Sequence, residues 1–109
     1  MLSGSPPFAA SELLGMSRFA DEMTIRAKKL TSATHQLAKC SPMYLDWLGP
    51  AADQYSTLLT AQIRKLEASA RLSLDARDAA LAGLAEAKRI NEEWTNAVEA
   101  YWQAHRSPS

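Results

Sequence analysis

The residues that could carry chemistry are few in this chain, and they do not cluster. Its two histidines, His35 and His105, lie far apart in the sequence. His35 and Cys40 are five positions apart, which separates them by about 140° around a helix, so they cannot ligate one metal ion from a shared face. The Glu-x-x-His pairs of di-iron helical bundles do not occur. We therefore expect a protein that is not an enzyme and that binds neither a metal nor another cofactor.

One short stretch, DWLGPAADQY at residues 46–55, has the residue types of a tight corner between two helices. Pro50 lacks an N–H group and suits the first turn of a helix. Gly49 permits the close approach to that helix and is expected to leave room for an aromatic ring. Asp46 is expected to accept hydrogen bonds from N–H groups at the helix start. Trp47 is then expected at the closed end of a helical hairpin, where its ring fills the space between the helices.

The overall composition is that of one domain without strong electrostatic character. The chain has 109 residues, 12 Lys and Arg against 12 Asp and Glu, and a single cysteine that has no internal partner for a disulfide. The zero net charge argues against nucleic acid as a partner. No apolar run reaches the ~20 residues of a membrane span. The N-terminal residues lack the basic and apolar regions of a cleavable signal peptide.

Two apolar seams with helical spacing predict two long helices. The first seam runs from Met16 to Cys40, and the second keeps one register from Leu59 to Tyr101. The thiol of Cys40 is expected to be buried and unreactive. The expected fold is all-α: an antiparallel helical hairpin with helix 1 at about 9–41, a corner at 42–50 and helix 2 at about 50–104. Residues 8–105 form its single domain, and the ends 1–7 and 106–109 are expected to be disordered.

The core of such a hairpin is thin, because 20 residues are alanine and alanine contributes little burial energy. A second hairpin would complete the core as a four-helix bundle, so we expect dimerisation. Arg26 and Arg77 interrupt the seams, and we hypothesise that Arg77 discriminates a heterologous partner from a second copy. The residues expected at the partner interface are the large apolar residues of the seams and one aromatic neighbour: Met16, Phe19, Met23, Leu30, Leu37, Leu59, Ile63, Leu66, Trp94, Val98, Tyr101 and Trp102.

The end of helix 2 has two alternative interpretations. In the first, helix 1 ends opposite about Leu84, and the remaining ~20 residues of helix 2, or ~30 Å, have no intrachain neighbour. This part carries residue types that often anchor interfaces, here called the aromatic stripe and formed by Trp94, Val98, Tyr101 and Trp102. In the second, helix 2 breaks between Ser73 and Arg77, residues 75–104 return as a third helix, and the aromatic stripe is ordinary core.

The corner resembles the motif of a known family. Trp47-Leu48-Gly49 forms a W-x-G motif between two amphipathic helices, and PAADQY follows it. This run is similar to the W-x-G-P-A-A-[DE]-x-aromatic sequence of actinobacterial members of the WXG-type, ESAT-like (early secreted antigenic target-like) family. Members of that family are small substrates of type VII secretion systems. The resemblance covers about residues 8 to 90.

The resemblance implies a helical hairpin that forms a homodimer, or a heterodimer with a related WXG-type protein. It also implies export without a cleavable signal peptide, with Trp47 and Gly49 as the residues recognised for export. In the family, the partner's C-terminal tail contributes to the signal, and a secretion ATPase is the expected reader of that tail. The usual tail motif, Y-x-x-x-[DE], is missing here, because Tyr101 is followed four residues later by His105. Either a partner supplies the tail signal, which fits the family's heterodimers, or this chain is a relative outside the ordinary secreted group.

Two functions follow from these patterns. The first is a non-enzymatic helical protein, secreted or on the cell surface, that acts as a substrate or partner of a type VII secretion system. The alternative is a cytoplasmic adaptor or chaperone-like hairpin that holds a helical partner along the aromatic stripe. The two separate by whether the protein reaches the culture filtrate and whether Trp47→Ala prevents this without unfolding the chain.

Overall fold

A computed structural model of the chain describes residues 4–42 and 46–106, and within these ranges it has two helices and no β-strand. Helix α1 comprises Ala10–Ala38, with 29 residues. Helix α2 comprises Pro50–Ala104, with 55 residues. The all-α prediction is confirmed, and two helices on either side of a short corner agree with a helical hairpin.

The helix bounds differ from the predicted ones mainly at the end of α1. The backbone N–H groups of Cys40 and Ser41 donate to the carbonyls of Leu37 and Ala38, at 2.9 and 3.2 Å. These bonds span three residues instead of four, which tightens the last turn and ends the helix at Ala38. Cys40 therefore lies beyond the helix whose periodicity placed it in the core.

Helix α2 has no break at the point where the sequence allowed one. It continues through Ser73 to Ala104 as a single helix, so the alternative with a third helix is wrong. Ser73 is 5% exposed, and its Oγ donates to the carbonyl of Ser69 at 2.9 Å. A buried hydroxyl with a hydrogen-bond partner costs little, which explains how a serine occupies the seam without interrupting the helix.

The chain forms two compact units, each with a part of both helices. Unit 1 comprises Met1–Ala20 and Asp78–Ser109, and unit 2 comprises Asp21–Arg77. In unit 2 the two helices run antiparallel. Met23 lines a groove with Ala76, whereas Thr34, further along α1, lines a groove with Glu67, which is earlier in α2.

The core is thin, as the alanine content predicts. The buried hydrophobic residues among those described are all alanines, and no large side chain is fully buried: Ala20, Ala27, Ala52, Ala70 and Ala87. Small side chains allow two helix backbones to approach closely, but each removes little apolar area from water. The larger apolar side chains among the described residues are therefore half-buried or exposed within the single chain.

Candidate functional site

The backbone of the corner is fixed by the residues on either side of the W-x-G motif. The N–H group of Trp47 donates to the carbonyl of Pro42 at 3.1 Å. The carbonyl of Gly49 accepts the N–H group of Asp53 at 3.0 Å, which is the first hydrogen bond of α2. Gly49 is therefore the residue that caps the helix, and Pro50 occupies its first position, where a missing N–H group costs nothing.

The reason for a glycine at position 49 differs from the predicted one. A Cβ atom placed on Gly49 would have no atom within 4 Å, so the residue does not make room for an aromatic ring. Its φ is 109°, a conformation that residues with a Cβ atom rarely adopt. Asp46 also has a positive φ, 51°, which aspartate tolerates better than most residues. Among the described residues, Asp46 caps no N–H group of α2, contrary to expectation.

Trp47 lies against α2 and does not fill the space between the helices. Its ring centroid is 5.4 Å from that of Tyr55, with the ring planes inclined by 48°. Trp47 remains 41% exposed, and the adjacent Leu48 is 89% exposed. We call these two residues the corner tip. The predicted corner also includes residues 43–45, which lie outside the described residues.

One side of unit 2 has a groove between the two helices. Met23 and Arg26 of α1 line it together with Ser69, Leu72, Ser73 and Ala76 of α2. We call this surface the Met23–Leu72 groove, and its most exposed apolar side chain is Leu72, at 68%.

A second groove of unit 2 also lies between the two helices. Its lining is mixed, and we call it the Ala27–Leu74 groove: Thr24, Ala27, Lys28, Thr31, Ser32 and His35 of α1 with Leu74 and Arg77 of α2. Both grooves combine apolar with polar side chains, and the highly exposed Leu72 distinguishes the Met23–Leu72 groove.

The two seam arginines lie on different sides of unit 2. Arg26 is exposed and lies in the Met23–Leu72 groove. Arg77 is half-buried and lies in the Ala27–Leu74 groove. Arg26 is thus the arginine that a partner in the Met23–Leu72 groove would meet, and the partner-selecting role hypothesised for Arg77 stays a prediction.

The predicted interface residues divide into two groups by exposure. Phe19 is 44% and Trp102 56% exposed. The other ten are half-buried within the chain. The analysis of the seams missed several large apolar residues that are exposed outside them: Leu14, Ile25, Leu58, Leu72 and Leu81. The sequence spacing could have identified Leu58 and Leu72. They are two heptads apart, so they lie on the same face of α2.

In unit 1, Asn91 holds the backbone of Phe8. The Phe8 N–H group donates to Asn91 Oδ1 at 2.9 Å, and Asn91 Nδ2 donates to the Phe8 carbonyl at 2.8 Å. We call this pair of hydrogen bonds the Asn91 clamp. It places the start of α1 beside Asn91 and not beside Leu84, so the part of α2 beyond it is shorter than predicted, about 13 residues or ~20 Å.

The aromatic stripe makes contacts along its own helix. The Tyr101 ring stacks on His105, with centroids 4.0 Å apart, and meets Trp102 edge to face at 5.3 Å. His105 Nδ1 lies 2.7 Å from the carbonyl of Tyr101. Trp94 and Val98 are half-buried, so Trp102 is the most exposed member of the stripe.

Cys40 is exposed, so the prediction of a buried thiol is wrong; its Sγ lies 3.7 Å from the carbonyl of Gln36. In the described ranges, no three His, Cys, Asp or Glu residues are grouped as they would be to hold a metal ion. Over the same ranges, no helix is long and apolar enough to cross a membrane.

An ion-pair ladder on α2 gives unit 1 a measurable pH dependence. Arg89 pairs with Glu86 and Glu93 on the surface of the helix. The hydrogen bond from Arg89 lowers the pKa of Glu86 below its ordinary value of 4.5. A carboxylate with a lowered pKa stabilises the folded state above its unfolded-state pKa, and this contribution is lost as the pH falls through the folded-state pKa.

We therefore expect Arg89→Ala to lower the thermal midpoint slightly at pH 7, and we expect the difference from the unchanged chain to be smaller at pH 3, because protonation of Glu86 weakens its pair with Arg89. Thermal unfolding followed by circular dichroism at both pH values measures this. The matched control is Lys88→Ala, which removes an adjacent exposed cation that is not part of the ladder. A difference of the same size at pH 3 would show that Arg89 acts through packing and not through charge.

Comparisons of the chain with protein-family models, with curated proteins and with solved structures found no match. Function is therefore inferred from the surfaces described above: the corner tip, the Met23–Leu72 groove and the aromatic stripe.

Proposed function

We propose that this chain is a small, non-enzymatic member of the WXG-type, ESAT-like family and serves as a substrate or partner of a type VII secretion system. It dimerises with itself or with a related protein into a four-helix bundle. It displays the Trp47-x-Gly49 corner as an export-recognition element. It reaches the cell surface or the medium without a cleavable signal peptide.

The exposed corner tip is the observation that supports this proposal most directly. A tryptophan that is 41% exposed beside a leucine that is 89% exposed is costly in water and is typical of a recognition surface. The tip is also held in place. Gly49 caps α2, the N–H group of Trp47 bonds to Pro42, and the Trp47 ring packs on Tyr55. A preorganised tip loses little conformational entropy when a receptor binds it.

The Met23–Leu72 groove supports dimerisation. Leu72 and Leu58 are 68% and 71% exposed, while fully burying a leucine stabilises by roughly 1.5–3 kcal/mol. A second hairpin packed on this side would cover such residues and add large buried side chains, which the described residues of the single chain lack.

The decisive experiment follows export of a tagged chain from an actinobacterial host that has a type VII secretion system. We expect the unchanged chain in the culture filtrate and Trp47→Ala retained in the cells, with helical content by circular dichroism unchanged. Leu81→Ala is the control, because it also removes a large apolar side chain from an exposed position, lies outside the predicted partner interface and should leave export intact. A host strain without the secretion system should retain all three proteins.

Retention of the unchanged chain in cells that express the system and a related partner would contradict the proposal. The adaptor alternative predicts that outcome, together with a Trp102→Ala variant that fails to bind a helical partner. The exposure of Trp102 favours this alternative, but the other members of the aromatic stripe are half-buried. The secretion proposal accounts for the corner tip, which the adaptor alternative leaves unused.

A further inference from the structure

We propose that the Ala27–Leu74 groove of unit 2 binds the phosphate group of a small, soluble phosphate monoester. Lys28 and Arg77 supply the positive charge for this site, and hydroxyl groups of α1 supply further hydrogen-bond donors. The inference depends neither on dimerisation nor on export, because the groove is formed within unit 2 of one chain.

One face of α1 carries most of the donors that line this groove. Lys28, Thr31, Ser32 and His35 have the spacing i, i+3, i+4 and i+7, so they lie on the same side of the helix. All four are exposed, and none has an ion-pair or hydrogen-bond partner among the described residues. This face therefore offers a ligand an ammonium group, two hydroxyl groups and an imidazole.

The other side of the groove belongs to α2 and contributes an arginine. Arg77 is half-buried, so the chain already restricts its side chain, and ligand binding costs less rotamer freedom than at an exposed position. A guanidinium group can donate two parallel hydrogen bonds to a phosphate group. Ala27 is 4% exposed and Leu74 is half-buried. These two residues give the lining an apolar part on which the organic group of the ligand can pack.

The balance of charge distinguishes this groove from the adjoining one. Among the described residues, the lining of the Ala27–Leu74 groove includes no carboxylate. The adjoining groove shares Thr31, His35 and Leu74 but adds Arg71 and Glu67. Because Glu67 and Arg71 are four positions apart on α2, their charges offset each other. An anion is therefore attracted more strongly to the Ala27–Leu74 groove.

The charge and the size of the groove define the class of ligand. A phosphate monoester carries a charge of about −1.5 to −2 at pH 7, which balances the two permanent cations, Lys28 and Arg77. The groove has a volume of about 410 Å³, in the lower part of the range of roughly 300–1,000 Å³ for small-molecule sites. We therefore expect one phosphate group with a small organic group attached, and not a long polyanion.

The test uses phenyl phosphate as the probe and follows its binding to the full chain by nuclear magnetic resonance at pH 7 and constant ionic strength. We expect saturable shifts of backbone signals in residues 24–35, with a Kd on the order of 1 mM or lower. Lys28→Gln and Arg77→Gln should each raise the Kd about 10-fold, because each removes a charge-assisted hydrogen bond. Lys29→Gln is the matched control. It removes the adjacent exposed cation, which lines a different groove, and should change the Kd by less than about two-fold.

Three results would overturn the inference. The absence of saturable binding would exclude the site. An equal rise of the Kd with Lys28→Gln and Lys29→Gln would show that the probe responds to the general charge of α1. Binding to vesicles of phosphatidylcholine and phosphatidic acid without binding of phenyl phosphate would exclude a soluble ligand and assign the groove to a lipid headgroup. If circular dichroism shows that Arg77→Gln unfolds the chain, Lys28→Gln decides alone, because Lys28 is exposed.

Discussion

Replacing Gly49 with alanine is expected to lower the free energy of unfolding by about 1–2 kcal/mol, because a residue with a Cβ atom is strained at a strongly positive φ. The φ of Gly49 is 109°. The added methyl group would meet no atom within 4 Å, so steric contact with the rest of the chain contributes nothing. The loss of stability therefore arises entirely from backbone strain, and such strain can only lower the free energy of unfolding.

Gly83→Ala is the matched control for this prediction and should have the opposite sign. Gly83 lies inside α2, and a Cβ atom there would also have no atom within 4 Å. Alanine is preferred to glycine in a regular helix, so we expect stabilisation by roughly 0.5–1 kcal/mol. Urea or thermal unfolding at one fixed protein concentration measures both variants, since the proposed dimerisation would make stability depend on concentration.

Equal stability of Gly49→Ala and the unchanged chain would mean that the corner relaxes to another conformation. Near-ultraviolet circular dichroism distinguishes the two situations, because Trp47 and Tyr55 are in ring contact and their signal depends on that geometry. A relaxed corner would change this signal while leaving the helical signal intact. A strained corner would retain the signal and lose stability.

The helices could be predicted from the sequence because their signals are local and repeated. The second seam keeps one register past Ser73, and Pro50 marks the start of α2 by its own chemistry. The end of α1 was harder to predict. Cys40 continues the spacing of the first seam, yet the last turn tightens before it. A seam records which residues can face a core, and it does not determine where the backbone stops being helical.

The details of the corner and of unit 1 could not be predicted, because they depend on residues that meet only in the folded chain. Asn91 interrupts the second seam, and its spacing alone would place a polar side chain among apolar ones. Its partner is the backbone of Phe8, 83 positions away. Because nearly every residue type has the same backbone N–H and carbonyl groups, the sequence does not mark Phe8 as that partner. Trp47 packs on Tyr55 across the cap of α2, within a corner in which Asp46 and Gly49 both have a positive φ. Neither contact has a periodic or compositional signal.

Replacing Asn91 with alanine is expected to release the segment before α1 and to cost about 1–3 kcal/mol of local stability, because both hydrogen bonds of the Asn91 clamp are lost. The Phe8 N–H group donates directly to Asn91 Oδ1, so its hydrogen exchange reports the clamp. We expect this exchange to become about 10- to 100-fold faster, while amides in the middle of α2 keep their protection. Nuclear magnetic resonance or mass spectrometry of the full chain measures the exchange.

Two further variants separate the clamp from a general effect on the helix. Asn91→Asp keeps an acceptor for the Phe8 N–H group but cannot donate to the Phe8 carbonyl, so its effect on exchange should be intermediate. Asn96→Ala removes an exposed asparagine from the same helix and should leave Phe8 unchanged. If Asn91→Ala and Asn96→Ala had equal effects, the clamp would contribute nothing, and the start of α1 would be held by the half-buried side chain of Phe8 alone. If only Asn91→Ala and Asn91→Asp accelerate exchange, then a polar residue that interrupts an apolar seam is what fixes the register of α1 against α2 in unit 1.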